Sequence, residues 1–484
     1  MVQKIKEFLF HNKNTAQTVA KNTFWLFFGQ IVSKSLRAAL VIFAARILGP
    51  ASWGAFSYVM GLVAFILIFS DIGMTAIVTR ESSKDIELSK RYFSTAFFMK
   101  ILLLVMGVAI LLWLAPYFTK INEAKILLPI AAFMLVFDSL RNFSFAQSRA
   151  REKMQLESFN EIITNIVITG LGFYFLKFYP GSKGLTIAYA IGTAIGFFAI
   201  ILSIRHHLKN LWANFDCRLI KTILSASLPF ALASFLGAIM INTDLIMLSW
   251  MRSPDELGFY SAAQKPIQLL YVMANLFAAA MFPVLSKAAL NKERFRNLLE
   301  KSLSASLLVA LPLSISSILL AKQIIIFLFG PVYAPAILAF QILLVTLLII
   351  FPSVIISNSI LAYNKQKNFI IFSALGAIGN VFFNFLLIPY WGIAGAATST
   401  IFTMIISNTF IWIKMRSLND FNILGRIKKI IISTILITPI IILLKYFDVN
   451  LIANITLTTI AYFVLLKIQK EETVINLFKK ISAG

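Results

Sequence analysis

"FFGQIVSKSLRAALVIFAARILGP", residues 27–50, decides how the rest of the chain is read. It is long and apolar enough to cross a bilayer, whose hydrocarbon core takes about 20 residues of α-helix. Yet Lys34 and Arg37 stand near its middle, where a cation costs roughly 2.5–3.5 kcal/mol on insertion scales. Similar apolar runs recur from end to end. The 484 residues are 59% hydrophobic and only 13% charged, with a mean hydropathy of +0.85. A soluble chain of this length would divide into several domains, each needing a polar surface, and this composition supplies none. The chain reads as an all-α polytopic membrane protein. A β-barrel would alternate polar and apolar residues in segments of about 10, and these runs do not.

About 14 transmembrane helices follow from the apolar runs, the first pair over roughly 22–46 and 52–78 and the last over roughly 428–446 and 450–467. An even number puts both termini on one side. The formal net charge of +24 would point to nucleic acid in a soluble protein. Here loop Lys and Arg orient the helices instead, so no nucleic-acid partner is read. With both termini cytoplasmic, the inner segments, including "RESSKDIELSKRY", "KAALNKERFR" and "RIKK", hold about 31 Lys and Arg, the outer loops about 8, and about 5 lie inside spans. Residues 1–21 read as a basic amphipathic lead-in on the cytoplasmic face, without the apolar core of a signal peptide. A single cysteine, Cys217, excludes an intrachain disulfide, and His11, His206 and His207 form no metal-ligand pattern. No cofactor motif is present: the chain has neither a Walker loop nor HExxH. The short inner loops leave no room for a cytosolic catalytic module, so the chain is read as a non-enzyme.

The sequence also repeats. "GPASWGAFSYV" at 49–59 and "SPDELGFYSAA" at 253–263 align so that Gly54, Ser57 and Asp71 match Gly258, Ser261 and Asn275 at one offset of about 204 residues. A parallel six-helix repeat implies two pseudo-symmetric lobes around a central cavity, able to rock for alternating access. The expected division is an N-terminal lobe over 22–210, a C-terminal lobe over 211–416, and two extra helices with a cytoplasmic tail over 417–484. Pro266, Pro312, Pro352 and Pro439 fall inside spans of the second half, whereas Pro116 and Pro129 fall near span ends. Helix bending is therefore expected mainly in the second lobe, unless these are static packing kinks.

Three stretches carry a family resemblance: "RILGPASWGAFSYVMGLVAFILIFSDIGMTAIVTRE" (46–81), "SLPFALASFLGAIMINTDLIMLSWMRSPDELGFYSAAQK" (227–265) and "GNVFFNFLLIPYWGIAGAATSTI" (379–401). Their order and spacing resemble the polysaccharide-transporter branch of the MOP flippase superfamily, the Wzx-like oligosaccharide flippases. The resemblance implies translocation of a polyprenyl-diphosphate-linked oligosaccharide, an O-antigen or capsule-type repeat unit, from the cytoplasmic to the outer leaflet of the inner (plasma) membrane. It also implies membrane lipids as partners, with polysaccharide polymerase and chain-length proteins as further candidates. A MATE-like drug or cation exporter of the same superfamily is the alternative.

The residues themselves offer a basic site. Gln30, Lys34 and Arg37 share one helix face at i, i+4, i+7 spacing. A polar stripe on a spanning helix faces the protein interior or a water-filled cavity, and a diphosphate suits Lys and Arg. The candidate substrate-binding cations are Lys34, Arg37, Lys100, Arg141 and Lys265. For Arg141 an ion pair with Asp138, at i−3, stands as an equal reading. For Lys100 the alternative is snorkelling to the interface. Asp71, Asp138 and Asp244 are candidate acids for ion coupling or for structural pairing, with Glu161 a further acid placed at a helix start. A cation exporter would call for cavity acids, and the first span has none.

Overall fold

The computed structural model describes residues 15–205, 211–471 and 475. The lead-in up to residue 14, His11, His206, His207 and most of the C-terminal tail lie outside the described residues. Among the described residues the regular structure is helical, with no strand. That follows from the solvent: in hydrocarbon every backbone N–H and C=O must be satisfied inside its own segment, and these runs are too long for barrel strands. The α-helices are α1 Thr15–Phe69, α2 Met74–Ser82, α3 Ile86–Ala109, α4 Asn122–Ala150, α5 Met154–Phe178, α6 Ser182–Ile204, α7 Arg218–Met251, α8 Pro254–Ala288, α9 Lys292–Leu319, α10 Ala321–Phe329, α11 Ala336–Ala362, α12 Gln366–Leu418, α13 Leu424–Tyr446 and α14 Leu451–Ile468. All but α2 and α10 are long and apolar enough to cross a membrane, giving 12 candidates among the described residues.

Two of the twelve are double. α1 runs 55 residues and α12 runs 53, each about 80 Å if straight against a hydrocarbon core of about 30 Å. Each breaks at a glycine with positive φ, Gly49 at 73° and Gly392 at 54°, a conformation that costs glycine little. The breaks fall between runs read as separate spans. Elsewhere the boundaries differ from the sequence reading. The run expected over 52–78 is broken after Phe69 by a turn through Ser70–Gly73, where Ile72 (φ 40°) and Gly73 (φ 77°) leave the helical region. Glu161, placed by sequence at a helix start, lies inside α5, two turns from its first residue. Pro129 and Pro229 lie inside α4 and α7, so interior proline is not confined to the second half.

The chain forms two compact units that divide between Gly258 and Phe259, inside α8. In the first, α1 packs along α5, α4 lies against α6, and α7 packs on α1, α2 and α3. Met74, Val78, Phe93, Phe143 and Ile223 close the core under α2, with Phe93 and Phe143 stacked at 4.9 Å. α7, assigned by the repeat to the C-terminal lobe, thus belongs to the first compact unit.

The repeat reappears within this unit as a contact. A Cβ on Gly54 would lie 2.8 Å from the Gly258 nitrogen, and one on Gly258 would lie 2.7 and 2.9 Å from the Pro50 carbonyl carbon and Cα. The carbonyl oxygens of Pro254 and Pro50 are nearer still to these two positions. Pro50 and Pro254 stand at the same offset as the two glycines, so the turns touch reciprocally, backbone to backbone.

In the second unit, Phe295, Leu299, Leu303, Ile356, Ile360 and Ile411 form one core. Asn291 caps α9 by accepting from the Arg294 amide at 3.0 Å. The last two helices are tied to α9 through Leu308, Ile430, Ile437 and Tyr462, whose hydroxyl donates to the Leu308 carbonyl at 2.9 Å.

Candidate functional site

The polar face of α1 carries Gln30, Ser33, Lys34 and Arg37. Gln30 and Arg37 are exposed, Lys34 is half-buried and Ser33 is buried. This face meets α5 and α6. Arg37 Nε donates to Asn165 Oδ1 at 3.1 Å, and the guanidinium lies over the Tyr189 ring, 5.3 Å from its centroid. Among the described residues neither Lys34 nor Arg37 forms an ion pair. The nearest acid in this network is Glu161, one turn before Asn165 on α5. Asn165 Nδ2 donates to the Glu161 carbonyl at 2.8 Å and lies 3.5 Å from its Oε2.

Arg141 and Lys100 are placed differently. Arg141, 4% exposed, donates to Asp138 at 2.7 Å and to Thr164 at 3.1 Å, and lies 3.3 Å from Glu161. Lys100, 1% exposed, donates to Asp71 at 2.9 Å and to the Ser70 carbonyl at 3.3 Å, with the Phe143 ring beside it. It does not snorkel. Asp71 also accepts from Thr75 at the start of α2, so one carboxylate serves the broken helix and the buried lysine together. A buried ion needs this closure, because an uncompensated charge costs several kcal/mol there.

α1, α5 and α4 thus bring Lys34, Arg37, Arg141, Asp138 and Glu161 into one network. Lys100 and Asp71 form a separate pair on α3 and the turn before α2. Asp244 is buried on α7. Lys265 is half-buried on α8 and belongs to the second unit. Asn165 and Tyr189 were not singled out from sequence. Their signal was present: Asn160, Glu161, Thr164 and Asn165 form a polar stripe at helical spacing inside an apolar run.

Helices and site together define a multi-pass membrane protein with a basic face on α1 that forms no ion pair among the described residues. Residues 19–289 match the model of a family described as polysaccharide biosynthesis protein, and residues 229–386 match the MatE model. The chain belongs to that polysaccharide biosynthesis family. It is 24% identical over 399 residues to a putative O-antigen transporter of Shigella flexneri, covering 79% of this chain and 94% of the relative. It is 22% identical over 389 residues to the capsular polysaccharide biosynthesis protein CapF of Staphylococcus aureus, covering 78% and 94%. Its fold matches the lipid II flippase MurJ in an inward closed conformation, with a TM-score of 0.79 and 20% identity over 94% of this chain and 99% of that one.

Proposed function

We propose that the chain is a flippase that moves a polyprenyl-diphosphate-linked oligosaccharide, an O-antigen or capsule-type repeat unit, from the cytoplasmic to the outer leaflet of the plasma membrane. The observation that carries this reading is the state of Lys34 and Arg37: two cations within one long apolar helix, the first half-buried and the second exposed, neither in an ion pair among the described residues. A charge kept there at a cost of roughly 2.5–3.5 kcal/mol each needs a function, and an anionic headgroup supplies the missing counter-charge. Arg meets phosphate oxygens in bidentate fashion and Lys as a point charge. Lys100 and Arg141, closed by their own acids, hold helices together and shape the field. Both termini lie in the cytoplasm, and the basic face opens alternately to the two sides. The transporter and capsule relatives support a glycan cargo.

The MatE match favours a second reading, a cation exporter. Such a site needs acids free to receive a cation. Asp71, Asp138 and Glu161 are each engaged by Lys100 or Arg141, which argues against it.

The test is a Lys34→Ala/Arg37→Ala double variant in the native host. Surface glycan is expected to disappear while the membrane-inserted protein remains as abundant as wild type. Normal glycan export by that variant overturns the reading.

A further inference from the structure

Arg37 is held by two neutral groups. Asn165 accepts from Nε, and the Tyr189 ring lies under the guanidinium plane. Neither cancels the charge: an amide carries no net charge, and a ring face attracts a cation through its quadrupole alone. Both anchors are themselves fixed. Asn165 Nδ2 donates to the Glu161 carbonyl at 2.8 Å, which turns its oxygen toward Arg37. Tyr189 is buried, with Phe56 edge-on at 5.3 Å. The terminal guanidinium nitrogens make no hydrogen bond among the described residues, and the side chain is exposed.

The nearby acid is directed elsewhere. Glu161 lies 3.3 Å from Arg141. Lys34, Arg37 and Arg141 therefore stand against Asp138 and Glu161, three cations to two acids, and the excess of one positive charge depends on position 165 being neutral.

We propose that Asn165 and Tyr189 form a neutral seat for Arg37, and that Asn165 sets the preference of the basic face for a diphosphate headgroup over an uncharged one. Asn165 acts as a positioning residue: it holds the guanidinium by one nitrogen and leaves the rest of the fork to the ligand. An aspartate of the same size would pair with Arg37 and remove the excess charge. The inference rests on the flippase reading in so far as Lys34 and Arg37 meet the headgroup.

The experiment measures binding of geranylgeranyl diphosphate and of uncharged geranylgeraniol to the purified full-length protein in detergent at fixed ionic strength, since exposed charges are screened by salt. Asn165→Asp is expected to weaken the diphosphate by about tenfold or more, as befits loss of a charge-assisted contact, and to leave geranylgeraniol within about twofold. Asn165→Ser, a smaller neutral acceptor, is expected to stay within about threefold of wild type for both probes. Diphosphate binding by Asn165→Asp within about threefold of wild type overturns the seat, and so does an equal loss in Asn165→Ser, which would mark a packing role. If Asn165→Asp fails to accumulate, Tyr189→Leu replaces it. Removing the ring face should weaken the diphosphate about threefold, and unchanged binding overturns the seat. The Lys34→Ala/Arg37→Ala variant separates the two levels. Wild-type diphosphate binding by that variant removes the basic-face reading itself. Loss in that variant with normal binding by Asn165→Asp removes the seat alone.

Discussion

Lys100 and Arg141 differ from Lys34 and Arg37 in what surrounds them, although all four are cations within spanning helices of the same compact unit. The first two are buried to 1% and 4% exposure and are met by carboxylates at 2.9 and 2.7 Å. The second two keep access to the outside and form no ion pair among the described residues, and Arg37 is held by neutral groups. Side-chain type does not distinguish them, since each pair contains one Lys and one Arg. The difference teaches that an intramembrane cation is informative in proportion to the counter-charge it lacks. A closed pair explains itself by packing, whereas an open cation points to a ligand outside the chain.

The comparison can be broken at Asp71. Replacing it with Ala leaves Lys100 buried without its acid and removes the acceptor for Thr75, and should lower stability by about 3–5 kcal/mol. The readout is the thermal midpoint of the purified protein in detergent. Lys34→Ala/Arg37→Ala should leave that midpoint nearly unchanged. A double-alanine variant as unstable as Asp71→Ala would erase the distinction between closed and open cations.

Glu161→Gln sharpens the comparison from within the closed set. Arg141 keeps Asp138 at 2.7 Å, and the Glu161 side chain is 29% exposed, so solvent screening reduces the loss to about 1 kcal/mol in the same assay. A loss as large as that of Asp71→Ala would show that Glu161, and not Asp138, is the principal partner of Arg141.

The smallest effect lies outside the membrane. Asp216, in the segment before α7, accepts from the backbone amide of Arg218 at 3.0 Å and pairs with Arg91. The amide first, then the guanidinium, hold its carboxyl below the usual carboxylate range. A depressed folded-state value means that the contribution is present above the unfolded-state pKa and is lost as pH falls through the folded one. Amide protection in residues 211–217, taken relative to the intrinsic exchange rate at each pH, should therefore fall on acidification below about pH 4, and Asp216→Asn should give the same loosening at neutral pH. If protection in this loop is indifferent to both changes, surface pairing contributes nothing even locally.

Much of the fold is legible in the sequence because lipid imposes one simple rule. Runs of about 20 apolar residues become helices whatever their neighbours, so the spans fall close to their expected places. Interruptions are harder to read. The breaks at Gly49 and Gly392 each separate two helices, as the spacing of the apolar runs implies, but the Ser70–Gly73 turn breaks an apolar run at residues that read equally well as helix. Site residues follow the same logic of distance. Asp138 and Arg141 are three apart on one helix, so their pairing is a local matter. Lys100 and Asp71 are 29 residues apart, and Arg37 and Asn165 are 128 apart. Only the packing of α1 on α5 and of α3 against the α2 turn brings those partners together, and no periodicity within one span encodes it.

The reciprocal contact of Pro50–Gly54 with Pro254–Gly258 has the form of an interface between identical subunits, where residue i meets j and j meets i. In a true homodimer one mutation alters both sides at once. In a single chain the two copies of such a turn mutate separately, so the halves are free to specialise, as Asp71 and Asn275 at matching positions already show. The two glycines do not share that freedom. Each is confined by the other turn's backbone rather than by a side chain, so no compensating substitution in the partner turn can make room for a Cβ. Inheritance across the repeat is therefore uneven: chemistry can drift from one half to the other, while this one point of contact must be kept in duplicate.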